Sequence, residues 1–294
     1  MSARPALEII RLHFSTLAST NSHARELAAR GSLAPGALSV VTADEQTGGR
    51  GRLGRVWQSG RDDVKATFAF RVPPHALATA YQLSPLMAVA AARVVARRAA
   101  VMEAAAAGAL ELPRVQIKWP NDLVVRSCRK AGGILCELES ARDGSHWAAL
   151  GIGLNVNSLP DELNVERAVW PLTTLRAESA GAAWDVAGIV DDLCAELSRV
   201  LAVFFGEGFA PFQSEYEAES VLLGKVVRFT DVDGAQPVQG RAVRIGADGR
   251  LFLLVADDSS PGAAQERGFL SGEVSGVEIV DDDGVARLLQ GEKH

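Results

Sequence analysis

Along the 294-residue chain the spacing of hydrophobic and polar positions changes period several times, and each change marks an element. "EIIRLHF" (8–14) reads as a strand, and "STNSHARELAARG" (19–31) reads as a helix with capping residues among Ser19 to Ser22 and a stop at Gly31. "ALSVVTA" (37–43) is a strand that runs straight into a stretch rich in glycine and arginine, and "ATFAFRV" (66–72) alternates as another strand. Ser84-Pro85 opens a long alanine-rich helix, with proline at the favoured first position and Gly108 closing it. Four strand candidates follow: "VQIKW" (115–119), "LVVR" (123–126), "GILCELES" (133–140) and "HWAALGIGLNVN" (146–157). The short links between them predict hairpins, hence an antiparallel or mixed sheet. An amphipathic helix begun by Asp185 covers 185–205, and a shorter one covers about 209–219.

After Leu223 the texture changes. "GKVVRFTD", "QGRAVRIG", "RLFLLVAD" and "SGEVSGVEIV" are β-type segments separated by Asp-Gly and Ser-Pro-Gly turns. This predicts a small β-barrel or sandwich and a division of the chain into residues 1–220 and 221–294. No internal repeat or low-complexity tract appears, and the alanine run 104–107 is the tail of a helix.

Composition narrows the class. With 48% hydrophobic and 22% charged residues the chain predicts a soluble globular protein with a substantial core. A formal charge of −6 argues against general nucleic-acid binding, which needs a basic face. Cys128, Cys136 and Cys194 form no C-x-x-C pair, and His13, His23, His75, His146 and His294 show no ligand spacing, so no metal site is expected. Arg4 and Pro5 lead into a strand-like run and not the apolar stretch of a secretory signal. The most apolar segment, 85–107, is interrupted by Arg93, Arg97, Arg98 and Glu103, which makes it a buried helix and not a membrane span. The expected location is the cytoplasm.

"EQTGGRGRLGR" (45–55) sets three arginines among four glycines in this acidic chain. Gly49, Gly51 and Gly54 spell G-x-G-x-x-G, but the segment leads to a strand and no helix, so the dinucleotide-binding reading fails. "VQIK" (115–118) mimics a kinase lysine strand, yet neither H-R-D nor D-F-G occurs, and G-K-[ST] of a Walker loop is missing. The composition still has a physical meaning. Glycines let successive N–H groups face an anion, and arginines give planar multi-donor contacts to carboxylate or phosphate. Three arginines so close repel one another, which predicts a loop loose when empty and ordered when occupied.

"KWPND" (118–122), "KAGGIL" (130–135) and "GIGLNVN" (151–157) follow this loop in order, and "STN" (19–21) precedes it. Together these blocks resemble the catalytic domain of the biotin protein ligases over about residues 8–220, and the β-rich tail resembles that family's small SH3-like barrel. The resemblance implies an α/β fold like the class II aminoacyl-tRNA synthetase catalytic domain. It also implies a two-step reaction: biotin and ATP with Mg²⁺ give biotinyl-adenylate and pyrophosphate, and a lysine of a biotin carboxyl carrier domain then displaces AMP. Only 18 residues precede "STN", which leads us to expect the monofunctional type without a DNA-binding domain, a monomer or homodimer with no nucleic-acid or membrane partner.

Carried over by position, the resemblance gives Arg50 and Arg52 contact with the biotin carboxylate and the phosphates, with Arg55 also on the nucleotide. Gly49 and Gly51 let the backbone close over the ligand, and Trp57 stacks on adenine. Gln46 and Ser19/Thr20, with Asn21, face biotin's ureido ring. Lys130 reaches the carboxylate and α-phosphate, Gly132 and Gly133 allow approach of the valerate chain, and Asn155 and Asn121 serve the nucleotide. Asp122 either orients or deprotonates the attacking lysine, or simply closes the Pro120-Asn121-Asp122 turn. Lys118 and Trp119 shape the site and its sheet. Ala18 replaces the acidic residue common before "STN", and Gly48 an alanine. The alternatives are a lipoate or octanoate ligase or transferase of the same fold, and a non-catalytic biotin sensor or regulator.

Overall fold

A computed structural model describes residues 7–107, 111–159, 170–231, 236–256, 263–280 and 286–290. The first sheet holds seven strands: β1 (Glu8–Leu17), β2 (Ala37–Gln46), β3 (Val64–Val72), β4 (Gln116–Lys118), β5 (Asp122–Val125), β6 (Arg129–Ser140) and β7 (His146–Leu154). Their order is β1-β2-β3-β7-β6-β5-β4. β1 and β2 are parallel, joined through α1 (Thr20–Ala29), and every other neighbour pair is antiparallel. This is the mixed, largely antiparallel sheet that the short links predict. Ser19 caps α1 by accepting the Ser22 N–H at 3.4 Å, and Gly31 at φ +70° ends it.

Two long helices cover the sheet: α2 (Leu83–Ala105) and α3 (Val186–Glu207), the latter capped by Asp185 accepting from Gly188 N. Pro85 is the third residue of α2 and not the first, because a 3₁₀ stretch, Pro74–Gln82, passes directly into the helix. Gly108, read as its stop, lies outside the described residues, as do Arg4, Pro5 and His294. Phe68, Leu86, Met87, Leu150 and Leu197 are buried in the core where helices meet sheet. The arginines that interrupt the apolar run are interhelical partners. Glu196 of α3, fully buried, pairs with Arg93 and Arg97 of α2 at 2.9 Å each and with Arg199. Arg93 also binds Glu215 on the short α4 (Gln213–Ala218), whose expected first turn is 3₁₀.

The second sheet is wholly antiparallel. It contains β8 (Val226–Thr230), β9 (Val238–Ile245), β10 (Leu251–Ala256), β11 (Ala264–Phe269), β12 (Glu273–Val280) and β13 (Ala286–Gln290), in the order β11-β10-β9-β8-β12-β13. β11, "AQERGF", escapes a pattern reading because five of its six residues are exposed; pairing with β10 alone makes it a strand. β13 was likewise not among the predicted strands. The Asp248-Gly249 turn forms with Gly249 at φ +80°, while the turns at 233–234 and 260–262 lie outside the described residues. The two sheets meet closely. Trp119 Nε1 donates to Gly249 O at 3.0 Å, Gln213 Nε2 to Ile245 O at 2.8 Å, and Ile245 N to Glu217 Oε1 at 2.8 Å. Among the described residues no helix is long and apolar enough to cross a membrane.

Burial by itself would push the Glu196 carboxyl up, but the Arg93 hydrogen bond and the Arg97 and Arg199 charges outweigh it and hold it below its ordinary range. A carboxylate with a lowered folded-state pKa contributes stability that is complete above the unfolded value and is lost as pH falls through the folded one. Glu196→Ala is therefore expected to cost about 3 kcal/mol at pH 7, the lower end for breaking a buried pair because its arginines reach solvent. Urea denaturation should show this deficit shrinking below pH 4.

Candidate functional site

A cavity of about 570 Å³ opens beside the first sheet and reaches the second. The start of α1, Gln46, the loop 50–58, the 118–122 turn, the β6 and β7 strands, Trp170 and Leu172, and Gly272 to Val274 line it. One irregularity in the sheet decides what its floor carries. β5 and β6 pair Asp122 with Gly133 and Leu123 with Gly132, then the register slips and Val124 faces Lys130. The slip makes Ala131 an extra residue. In unbroken register Lys130 would share the face of Gly132; the bulge brings it to the face of Asp122 and Gly133. Lys130 Nζ then lies 2.7 Å from Asp122 Oδ1, and Lys118 Nζ takes the other carboxylate oxygen at 3.3 Å. Burial alone would raise the Asp122 carboxyl, but the two ammonium groups hold it well below the usual carboxylate range. A carboxylate so stabilised is a weak base. Deprotonation of an incoming amine, one of the roles read for Asp122, fits this poorly, whereas orientation fits well.

The same alternation separates two predicted glycines. A Cβ on Gly133 would point at the Trp57 ring (3.6 Å) and Lys130 Nζ (3.8 Å), inside the cavity. A Cβ on Gly132 would meet Gly153 O at 2.7 Å, Leu154 and Leu123, so Gly132 packs the sheet and does not face a ligand, contrary to the sequence reading. Trp57 lies across Gly153, where a Cβ would fall 2.3 Å from its Nε1. That Nε1 and Asn155 Oδ1 are buried without hydrogen-bond partners, leaving a donor and an acceptor available at the cavity. Asn155 Nδ2 is held by Thr173 O at 3.1 Å.

At the other end, Gln46 Oε1 accepts from Thr20 N at 2.8 Å and Thr20 Oγ1 at 3.1 Å. Asn21 lines the cavity, but Nδ2 donates to Leu135 O and Glu137 Oε2 and Oδ1 accepts from Thr67 Oγ1. Its polar atoms thus bind α1 to the sheet, and Ser19 is engaged as the helix cap.

The glycine–arginine segment folds as a short hairpin. Trp57 N donates to Gly49 O at 2.9 Å, Gly51 N to Arg55 O at 2.7 Å, and Arg50 bridges Val56. Gly49 is buried under Trp57, where a Cβ would lie 2.3 Å from Trp57 O, so its role is backbone approach within the loop. The turn at Leu53 (φ +56°) and Gly54 (φ +74°) leaves Leu53 and Val56 largely exposed at the rim. Each arginine has its own partner. Arg50 binds Ser22 Oγ, and Arg55 pairs with Glu273. Arg52 reaches Asn121 Oδ1 (3.1 Å), Ser271 Oγ (2.9 Å) and Gly272 O (3.4 Å). Burial lowers the Arg52 pKa, with Asp122 and Glu273 opposing. Site groups read as all lying before residue 220 therefore extend to Gly272, Glu273 and Val274, which "SGEVSG" gave no chemical reason to single out.

Sequence reasoning also missed Asp63, a buried carboxylate accepting five hydrogen bonds. Oδ1 takes the N–H groups of Val156, Asn157 and Ser158; Oδ2 takes Gly60 N and Ser158 Oγ at 2.7 Å each. It ties the segment after Trp57 to the residues after Asn155. Lys65 Nζ sits beside it on the carbonyls of Gly60, Arg61 and Asp63.

A family model described as the biotin/lipoate A/B protein ligase family matches residues 16–157. The biotin–[acetyl-CoA-carboxylase] ligase of Paracoccus denitrificans is 33% identical over 211 residues, covering 71% of this chain and 80% of that protein. The corresponding ligase of Mycobacterium tuberculosis is 31% identical over 238 residues, covering 81% and 80%. The bifunctional ligase/repressor BirA of Bacillus subtilis is 29% identical over 242 residues, covering 82% and 68%. Among solved structures, the biotin protein ligase of Aquifex aeolicus in complex with biotin and ATP superposes with a TM-score of 0.68 at 24% identity, over 90% of this chain and 97% of that one.

Asp63→Ala strands the backbone N–H groups of Gly60, Val156 and Ser158 at the base of two cavity-lining segments, while Asn157 N keeps Asp62 O. The substitution is expected to lower stability by about 3 kcal/mol, the upper range for hydrogen bonds to a charged group. Asp63→Asn, which keeps one acceptor oxygen, should lose less; chemical denaturation of the two variants checks the order.

Proposed function

The chain belongs to the biotin/lipoate A/B protein ligase family, and we infer that it is a biotin ligase that uses ATP to attach biotin to a lysine of a carboxylase carrier domain. Biotin's carboxylate attacks the α-phosphorus of ATP, pyrophosphate leaves, and biotinyl-5′-AMP remains. The carrier lysine amine then attacks the anhydride carbonyl, AMP leaves, and an amide bond is formed. The names of the Paracoccus and Mycobacterium relatives support an acetyl-CoA carboxylase subunit as the carrier.

The observation that carries this reading for the site is Lys130 Nζ on the cavity floor, 2.7 Å from Asp122, beneath a loop bearing Arg50, Arg52 and Arg55. Both substrates of the first step are anions. Their encounter needs positioned cations, and cations in a partly dehydrated cleft act far more strongly than in water. Lys130 and Arg52 serve the biotin carboxylate and α-phosphate, and Arg50 and Arg55 the outer phosphates. Mg²⁺ enters on the ATP phosphates as part of that substrate, with Asp122 and Glu273 the carboxylates that line the cavity.

Gln46, its Oε1 held by Thr20, offers an uncharged bicyclic ring its Nε2 donor, while Ser19 and Asn21 hold that end in shape. The orphaned Asn155 Oδ1 and the Trp57 indole suit an adenine with its exocyclic amine. Asp122 orients Lys130 and then the carrier amine. We assign residues 1–220 to a catalytic domain and 221–294 to an SH3-like barrel that lends Gly272 and Glu273 to the cavity rim. The acidic charge of −6 disfavours nucleic acid as a partner, and we expect a cytoplasmic monomer or homodimer.

Incubation with biotin, MgATP and a carrier domain tests the whole reading. The carrier should gain the mass of one biotinyl group, and lipoate in place of biotin should add nothing. Lys130→Ala is expected to slow pyrophosphate release by on the order of 10²–10³-fold while leaving the melting temperature near wild type; a rate within tenfold would reject the role. Arg52→Gly removes the contacts to Asn121, Ser271 and Gly272 and adds backbone freedom against closure of roughly 0.5–1 kcal/mol. The adenylate should then escape, and serum albumin present in the mixture should become biotinylated by the variant and not by wild type.

A further inference from the structure

Lys118 is the second cation on Asp122, and the first step as read above gives it nothing to do. It ends β4, directly across from Asp122 at the start of β5. Its side chain is only 8% exposed, lines the same cavity, and its Nζ stands 5.2 Å from the Trp170 ring centroid. Asp122 divides its oxygens between the two lysines, Oδ1 to Lys130 at 2.7 Å and Oδ2 to Lys118 at 3.3 Å.

The arrangement matters when an anion arrives. Lys130 must shift its ammonium from Asp122 toward a substrate oxygen. With a single lysine this would leave a buried carboxylate without a counter-ion, among the costliest states a protein interior can hold. With Lys118 in place the carboxylate remains paired throughout, and the three-group cluster keeps a net positive charge facing the cavity. Resting on the ligase reading, we propose that Lys118 is the standing counter-ion of Asp122, a positioning residue that frees Lys130 to bind the biotin carboxylate and α-phosphate. Burial lowers the Lys118 pKa and Asp122 opposes that shift.

The full chain, without carrier, is followed through a single turnover of biotin and MgATP to biotinyl-AMP. Wild-type formation of the adenylate tests the ligase reading separately. Lys118→Met should slow this step by on the order of 10²-fold, the scale of losing one partner of a buried pair, and weaken biotin binding in the same direction. Lys118→Arg, which keeps the charge, should retain most of the rate. The deciding variant is the double one. Asp122→Asn in the Lys118→Met background removes the charge that holds Lys130 back and should recover at least tenfold over Lys118→Met alone. A double variant as slow as Lys118→Met, or Lys118→Met within threefold of wild type, would overturn the proposal. If melting shows Lys118→Met unfolded, Lys118→Gln takes its place in the cycle, and a hundredfold loss in Lys118→Arg overturns the proposal on its own.

Discussion

One carboxylate holding two ammonium groups is the interaction on which the site depends. Asp122 is mostly shielded from water, and a lone charge there would cost several kcal/mol. The sheet solves this twice. Cross-strand pairing sets Lys118 opposite Asp122, and the slipped register of β5 and β6 carries Lys130 to the same face. Lys130 could not reach the carboxylate from a regular β5–β6 ladder, because a shift of one residue exchanges the two faces. The bulge is thus the local feature that joins fold to chemistry. Residues 171–173 reinforce it, exchanging backbone hydrogen bonds with Lys130 on its outer side at 2.8 and 3.0 Å.

The hairpin above this cluster is fixed by the second sheet as much as by the first. Arg52 reaches Asn121 in one and Ser271 and Gly272 in the other, and Arg55 meets Glu273. The segment that leads into the second sheet is therefore part of the cavity wall. The Trp119 indole, donating to Gly249 O and packed 5.9 Å from Phe229, ties the same two sheets directly behind the 118–122 turn. A displacement of the second sheet would move floor and roof together.

Much of this was legible in the chain, and the exceptions share a cause. Strands and helices with a solvent face and clear caps, such as α1 between Ser19 and Gly31, follow from local pattern. β11 does not, since an exposed polar edge strand has no apolar alternation to read. The four motif blocks and "STN" pointed to the residues that gather at the cavity, but not to which way each faces. Gly132 and Gly133 are neighbours in one block, and only sheet register sends one into the packing and the other into the cavity. Asn21 looked like a ligand group and is occupied by Leu135, Glu137 and Thr67. Glu273 and Asp63 sit in segments without a motif, and their importance arises from contacts 218 and 93 residues away.

The site's cations are graded by burial, and that gradient sets what can move. At the rim Arg55 is about half exposed, and its pairing with Glu273 is of the kind worth roughly 0–1 kcal/mol. Thermal motion breaks such a contact readily, so an incoming phosphate can displace Glu273 without a large barrier. Arg52 lies deeper, with three hydrogen bonds, and gives way only to a ligand that replaces them. At the floor the Asp122 cluster cannot be pulled apart at all without a substitute charge. Substrate anions therefore meet progressively stiffer partners as they descend, and every exchange trades one counter-ion for another instead of exposing a bare charge. An anhydride formed at the bottom is covered by the same sequence in reverse. The outermost contacts, which reclose most easily, are the ones that keep water from it.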